Sequence, residues 1–233
     1  MKEKIYFIPG LMCDKRLWER LSPYLEDDYI LVHLEIPITS NFDEIISILD
    51  KEFKEDTINL FGFSFGAYIA SYYTVKHPHR VKRLFLNSGT PSLMTQEEID
   101  KRNKMIELMN SFGFKGISSI KVASLLEAPN HTDQNLITLI KKMYSDLGKE
   151  VYISQIKTIN TRIPLEEKLI NLDLPIKFFY STNDRLLNYD SLKKFTLQHK
   201  HIIKTSRVGT SHMIPLEIPK LLSDEIRLWM NDA

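Results

Sequence analysis

At 233 residues the chain is long enough to bury one full hydrophobic core and too short for two ordinary domains. Its 31 Lys and Arg against 30 Asp and Glu leave a formal charge of +1, so no global field draws it to nucleic acid or to an anionic membrane. A single cysteine, Cys13, excludes an internal disulfide framework and four-cysteine zinc sites, and no apolar run approaches the roughly 18 residues of a membrane span.

The charged start, Met1-Lys2-Glu3-Lys4, leads into an apolar run over residues 5–8. Pro9-Gly10 ends that run before it reaches the length of a signal peptide's apolar region, so a soluble, cytoplasmic protein is expected. Residues 5–8, 29–36, 57–63 and 81–86 read as strands. They are mostly continuous apolar runs, as a parallel sheet covered on both faces requires. Between them, residues 15–25, 42–53 and 65–77 carry apolar residues at helical spacing, the last stretch stopped by Pro78. The order is βαβα, and the fold class is α/β.

After Thr90-Pro91 only the helical period remains. Thr95-Gln96-Glu97-Glu98 is a capping box that predicts a helix to about Phe112. Thr132 opens another, with Leu136, Ile140, Met143 and Leu147 on one face and Gly148 as its stop. Helical patterns also cover residues 117–126, 151–159 and 165–172. Alternation resumes with a strand at 176–180, a helix at 189–199, a strand at 201–205 and a final helix at 215–230. The expected organisation is an α/β core of residues 1–90 and 175–233, interrupted by an all-helical insertion of residues 91–174.

One stretch carries a chemical signal. Gly62-Phe63-Ser64-Phe65-Gly66 fits G-x-S-x-G and lies between a predicted strand and a predicted helix, the context in which such a turn projects a serine hydroxyl above a sheet. A serine hydroxyl is a poor nucleophile unless a base removes its proton, and the base needs a carboxylate to fix its tautomer. In a parallel sheet both partners belong in loops at the carboxyl ends of later strands. Asp184 lies four residues past the strand at 176–180, and His212 follows the strand at 201–205, giving the order Ser, Asp, His. Asp190 is the rival acid. Of the other histidines, His77 and His79 flank Pro78, His199 and His201 border a predicted strand, His131 lies in the insertion, and His33 reads as a satisfied core residue. Cys13 reads as a buried, inert thiol. In the insertion, Met105, Met109, Phe112 and Tyr144 either line a pocket or pack helices together. Lys101, Arg102 and Lys104, with Lys141 and Lys142, form basic clusters that either recognise an anionic partner or, the better reading, are solvated helix faces.

On Phe7-Ile8-Pro9-Gly10-Leu11, Gly62 to Gly66, Ser181-Thr182-Asn183-Asp184 and Gly209 to Pro215, the chain resembles the α/β-hydrolases with a helical cap. That resemblance spans nearly the whole chain. It implies a mostly parallel sheet of about six strands, since the chain has no room for the two N-terminal strands of larger members. It also implies that the backbone N–H groups of Leu11 and Phe65 form an oxyanion hole, and that no cofactor or metal is required. The chain departs from the family's fuller pattern at Pro9, where a histidine is usual, and at Ser211, where a glycine is usual. The implied activity is a serine carboxylesterase acting on a small- or medium-chain acyl ester. The cap and size also resemble the esterases that cleave pimeloyl-carrier-protein methyl ester, which would add an acyl carrier protein as partner, its acidic surface meeting Lys101, Arg102 and Lys104. Thioesterases, lactonases and C–C bond hydrolases share the same shape. A non-catalytic hydrolase-like protein that binds a small ligand remains a separate class.

Overall fold

In the computed structural model, which describes residues 2–195 and 199–231, six strands form one sheet. They are β1 (Lys4–Ile8), β2 (Ile30–His33), β3 (Ile58–Phe63), β4 (Val81–Asn87), β5 (Ile176–Ser181) and β6 (Ile202–Arg207), in the spatial order β2-β1-β3-β4-β5-β6. Every pairing is parallel. All six residues of β3 are buried, which is why its apolar run does not alternate with polar residues. The edge strand β2 is shorter than the run at 29–36 suggests. It pairs only with β1, and the last ladder bond runs from Leu34 N–H to the carbonyl of Phe7 near the end of that partner.

Side chains of successive strand residues point to opposite faces, so each strand feeds two cores. Tyr6, Ile8, Leu60, Leu84, Leu86 and Phe178 pack on one side with α1 (Phe42–Asp50) and α2 (Phe65–Lys76). Ile5, Phe7, Phe61, Phe63, Phe85 and Phe179 pack on the other with Trp18 and the C-terminal helices. Residues 15–25 do not form the predicted helix. They make two short 3₁₀ turns, Lys15–Trp18 and Ser22–Tyr24, because Pro23 lacks a backbone N–H and its ring blocks helix continuation. Proline also divides the final helix: α8 (Ile214–Glu217) ends at Ile218, and α9 (Pro219–Asn231) begins anew.

Between β4 and β5 lie only helices. α3 (Gln96–Phe112) starts at the capping box, with the side chains of Thr95 and Glu98 each reaching the other's backbone N–H. α4 (Ser119–Ala123) and α6 (Glu166–Ile170) are shorter than their apolar patterns. α5 (Gln134–Asn160) breaks at Gly148, whose φ of 78° lies in the left-handed region that favours glycine. Its cap is Asp133, not Thr132: the Asp133 carboxylate accepts from the N–H groups of Asn135 and Leu136. α7 (Tyr189–Lys194) covers the first part of the helix predicted at 189–199, and residues 196–198 lie outside the described residues. Among the described residues no helix is long and apolar enough to cross a membrane.

Candidate active site

From β1 the chain runs to β2 on one side of the sheet, whereas from β3, the other neighbour of β1, it runs to β4 in the opposite direction. The loops after β1 and β3 therefore open a crevice at the carboxyl ends of the strands, where open α/β sheets bind ligands. Ser64 stands at that point, between β3 and α2, with φ 53° and ψ −111°. A serine in this sparsely populated region persists only where its surroundings hold it. Its N–H donates to the carbonyl of Asn87 at the end of β4 (2.9 Å), and the glycines on either side admit the neighbouring chain. A Cβ on Gly62 would lie 2.6 Å from Ala67 Cα, and one on Gly66 would drive into the carbonyls of Ile8 and Pro9. The turn is thus locked by backbone against backbone.

The other two predicted residues meet Ser64 from later loops. His212 Nε2 lies 2.9 Å from Ser64 Oγ, and His212 Nδ1 lies 2.7 Å from Asp184 Oδ2. Asp184 is 1% exposed, and its Oδ1 accepts from Leu186 N–H at 3.0 Å. With Asp184 ionised, the network assigns the ring proton to Nδ1, which leaves Nε2 to accept from the Ser64 hydroxyl. Asp190 is exposed and paired with Lys193, away from this chain of bonds.

Leu11 lies in the turn after β1 and lines the same cavity as Ser64. Phe65 is the first residue of α2, whose N-terminus presents unsatisfied N–H groups and the positive end of the helix dipole. Among the described residues, neither Leu11 N–H nor Phe65 N–H donates to a backbone carbonyl. The Leu11 turn carries its own strain, Met12 having φ 54°. It is braced from α5, where the buried Gln155 accepts the Met12 N–H at 2.9 Å.

A second brace holds the His212 loop. Glu127 Oε1 accepts the N–H groups of Thr210 (2.9 Å) and Ser211 (3.2 Å), while Oε2 takes the Thr210 hydroxyl (2.9 Å). Arg207 pairs with the same carboxylate. Burial works against the Glu127 charge, yet Arg207 and these donors hold its carboxyl below the usual range. The Ser211 hydroxyl donates to Glu217, which also accepts Glu127 N–H (2.9 Å). The N–H groups of His212 and Met213 both reach the carbonyl of Leu125 (2.9 and 3.3 Å). Sequence reasoning missed Glu127, Glu217 and Gln155. Only Gln155 left a trace, as a polar residue on the buried stripe of α5 beside Ile156 and Ile159.

Above Ser64 and His212 lies a cavity of about 700 Å³. Its walls include Phe63, Met105, Met109, Ile140, Tyr144 and Ile156, whereas Phe112 is 72% exposed and takes no part. Cys13 also reaches the wall; burial pushes its thiol up to about 12, which keeps it protonated and unreactive. His33 is only half satisfied. Its ring stacks on Trp18, with Nε2 3.5 Å from the Ser22 hydroxyl, but Nδ1 is buried without a partner. Among the described residues, no group of three or more His, Cys, Asp or Glu side chains is placed to hold a metal ion.

Residues 5–112 match the family model described as alpha/beta hydrolase fold. No curated protein matches the chain in sequence. Solved structures resemble it over almost its whole length. A thermophilic esterase from Thermogutta terrifontis, with malate bound, has a TM-score of 0.85 at 17% identity, covering 99% of this chain and 90% of its own. The enol-lactonase from Burkholderia xenovorans LB400 has 0.83 at 14%, covering 99% and 92%. A structure from work on carboxylesterases of the thaumarchaeon Nitrososphaera gargenis has 0.81 at 14%, covering 98% and 90%. At such identities the likeness is one of fold.

Proposed function

This chain is an α/β-hydrolase-fold protein, and we propose that it is a serine hydrolase that cleaves a carboxylic ester through Ser64, His212 and Asp184. The observation that carries the reading is the unbroken line of hydrogen bonds from Asp184 through His212 to a serine held at positive φ.

Ser64 Oγ attacks the ester carbonyl while His212 Nε2 takes its proton. Asp184 keeps the ring oriented and offsets the imidazolium charge. The carbonyl oxygen, now an anion, sits against the N–H groups of Leu11 and Phe65, with the N-terminus of α2 behind the latter. His212 then returns its proton to the departing alcohol, leaving an acyl-enzyme on Ser64. Water, deprotonated by His212, attacks that acyl group and releases the acid. The sequence of steps calls on no cofactor or metal.

The carrier-protein alternative draws less support. Of the basic cluster at 101–104, the exposed Lys101 is paired with Glu97 and Arg102 lines the cavity, leaving Lys104 as the exposed cation without an ion pair among the described residues. The test is a fluorophosphonate probe together with a series of p-nitrophenyl esters and acyl thioesters of increasing chain length. Labelling at Ser64, and hydrolysis that disappears in Ser64→Ala, support an esterase. A folded protein that neither labels nor hydrolyses any member overturns the reading in favour of a binding protein.

A further inference from the structure

The cavity over Ser64 contains a cation that the fold does not neutralise. Arg102 projects from α3 into the same cavity as Ser64 and His212 and is partly buried. Among the described residues it forms neither an ion pair nor a hydrogen bond, and burial lowers its pKa, with Glu98 and Tyr152 opposing only through space. Glu98, one turn earlier, is the one carboxylate among the cavity-lining residues, and it is already engaged. Its Oε2 accepts both the N–H (2.9 Å) and the hydroxyl (3.0 Å) of Thr95 in the capping box. Two more cations line the cavity: Lys101, held by Glu97 at 2.6 Å, and the exposed Lys121.

Arg162 adds a further charge from behind. Its guanidinium lies 4.5 Å from the Tyr68 ring centre and 5.6 Å from that of Phe65, and its Nε is sealed from solvent without a partner. Burial lowers it to about 10, and Arg102 lies close enough to contribute to that shift. The field in this end of the cavity is therefore positive. Arg102, Met105 and Met109 follow helical spacing along one stripe of α3, so the charged and apolar parts of the wall are spread over about 10 Å.

A partly desolvated guanidinium without a counter-charge is unfavourable, and its planar fork of donors matches a carboxylate. We propose that the substrate is an anionic ester, a small molecule whose free carboxylate is bound by Arg102 while its ester carbonyl lies at Ser64. The substrate assignment rests on the reading of Ser64 as nucleophile; the carboxylate site itself does not.

Monomethyl esters of α,ω-dicarboxylic acids, compared with methyl esters of monocarboxylic acids of equal chain length, test it. The expected result is a preference in kcat/KM for the half-ester at one chain length. In Arg102→Met that preference falls about tenfold or more, mainly through KM, and Arg102→Lys recovers part of it. Rising salt weakens it. Equal loss on charged and neutral esters in Arg102→Met, or no preference in the native protein, overturns the proposal. A binding arm separates this from the nucleophile assignment: titration calorimetry of dicarboxylic acid monoamides into Ser64→Ala, with and without Arg102→Met. Binding that depends on Arg102 upholds the carboxylate site even where no ester is cleaved and no probe labels Ser64. Binding indifferent to Arg102 removes the site even where Ser64 reacts.

Discussion

The two walls of the cavity are built in opposite ways. On the sheet side, ten of the twelve residues of α2 are buried, Ser64 is hydrogen-bonded to β4, and glycines bring backbone against backbone. On the other side, α3 buries only Met109 among its 17 residues and exposes Met105, Leu108 and Phe112. The helical insertion is pinned to the core at separate polar points: Gln155 to Met12, Glu127 to Thr210 and Ser211, and Leu125 to His212. The contrast teaches that the position of the serine is over-determined by packing, whereas the facing wall is set by side chains with few neighbours. Change in the first wall should remove chemistry, and change in the second should redirect it.

The contrast breaks hardest at the serine. Ser64→Ala and His212→Ala should each lower ester hydrolysis by a factor on the order of 10⁶ while leaving the thermal midpoint intact, because such a triad acts as a unit. Ordinary turnover in either variant would remove the assignment. Asp184→Asn should lower kcat by about 10⁴ by favouring the wrong ring tautomer, and Asp190→Asn should match the native enzyme. Greater damage from Asp190→Asn would reverse the choice of acid.

Gly66→Val tests the packing itself. Its side chain has no room beside the Ile8 and Pro9 carbonyls, so urea unfolding should show a loss of about 1–3 kcal/mol or more. Displacement of Ser64 by about an ångström should reduce the rate of the surviving fold by about 10². A stable, fully active Gly66→Val protein would mean that the sheet-side wall is less rigid than the backbone contacts imply.

Glu127→Gln probes a pin between the walls. It keeps the shape but weakens acceptance from Thr210, Ser211 and Arg207, so kcat should fall about tenfold with KM little changed. Because the folded carboxyl titrates below its ordinary value of 4.5, its contribution to stability is present above that pH and is lost as pH falls through the lowered value. Thermal midpoints measured from pH 6 to 3 should therefore drop less steeply in Glu127→Gln than in the native protein; parallel curves would count against the brace.

The smallest effect belongs to the cap wall. Met109→Ala should shift acyl-length preference by about one or two carbons, a several-fold change in relative kcat/KM, since one methylene in an apolar pocket is worth only about 1–3 kcal/mol. Fluorophosphonate labelling of Ser64 should stay within about threefold of native. An unchanged length profile would place the acyl chain elsewhere in the cavity.

Local sterics made much of this legible beforehand. Gly62-Phe63-Ser64-Phe65-Gly66 is a strand, turn and helix written in five residues, and the Thr95 to Glu98 capping box begins α3 where its side chains require. Continuous apolar runs marked the inner strands because a sheet covered on both faces buries nearly all of their residues, whereas the edge strands β2 and β6 are largely not buried. The expectation of a helix at 15–25 failed for want of weight on Pro23, a local signal overridden by an apolar pattern. Its place just past a strand favoured Asp184 in the sequence and left Asp190 as a rival; the tertiary structure buries the first against His212 and exposes the second beside Lys193. The tertiary structure alone brought the partly buried Arg102 to the cavity wall, with Lys101 paired to Glu97 on the same wall, while Lys104 stays exposed outside it. The pins are the extreme case. Glu127 lies 83 residues from Thr210 and Gln155 lies 143 from Met12, so neither pairing leaves a spacing or a motif to read. Glycine, proline and capping residues act on the backbone within a few positions, whereas a buried carboxylate or amide is satisfied by whatever distant N–H the completed fold brings within reach.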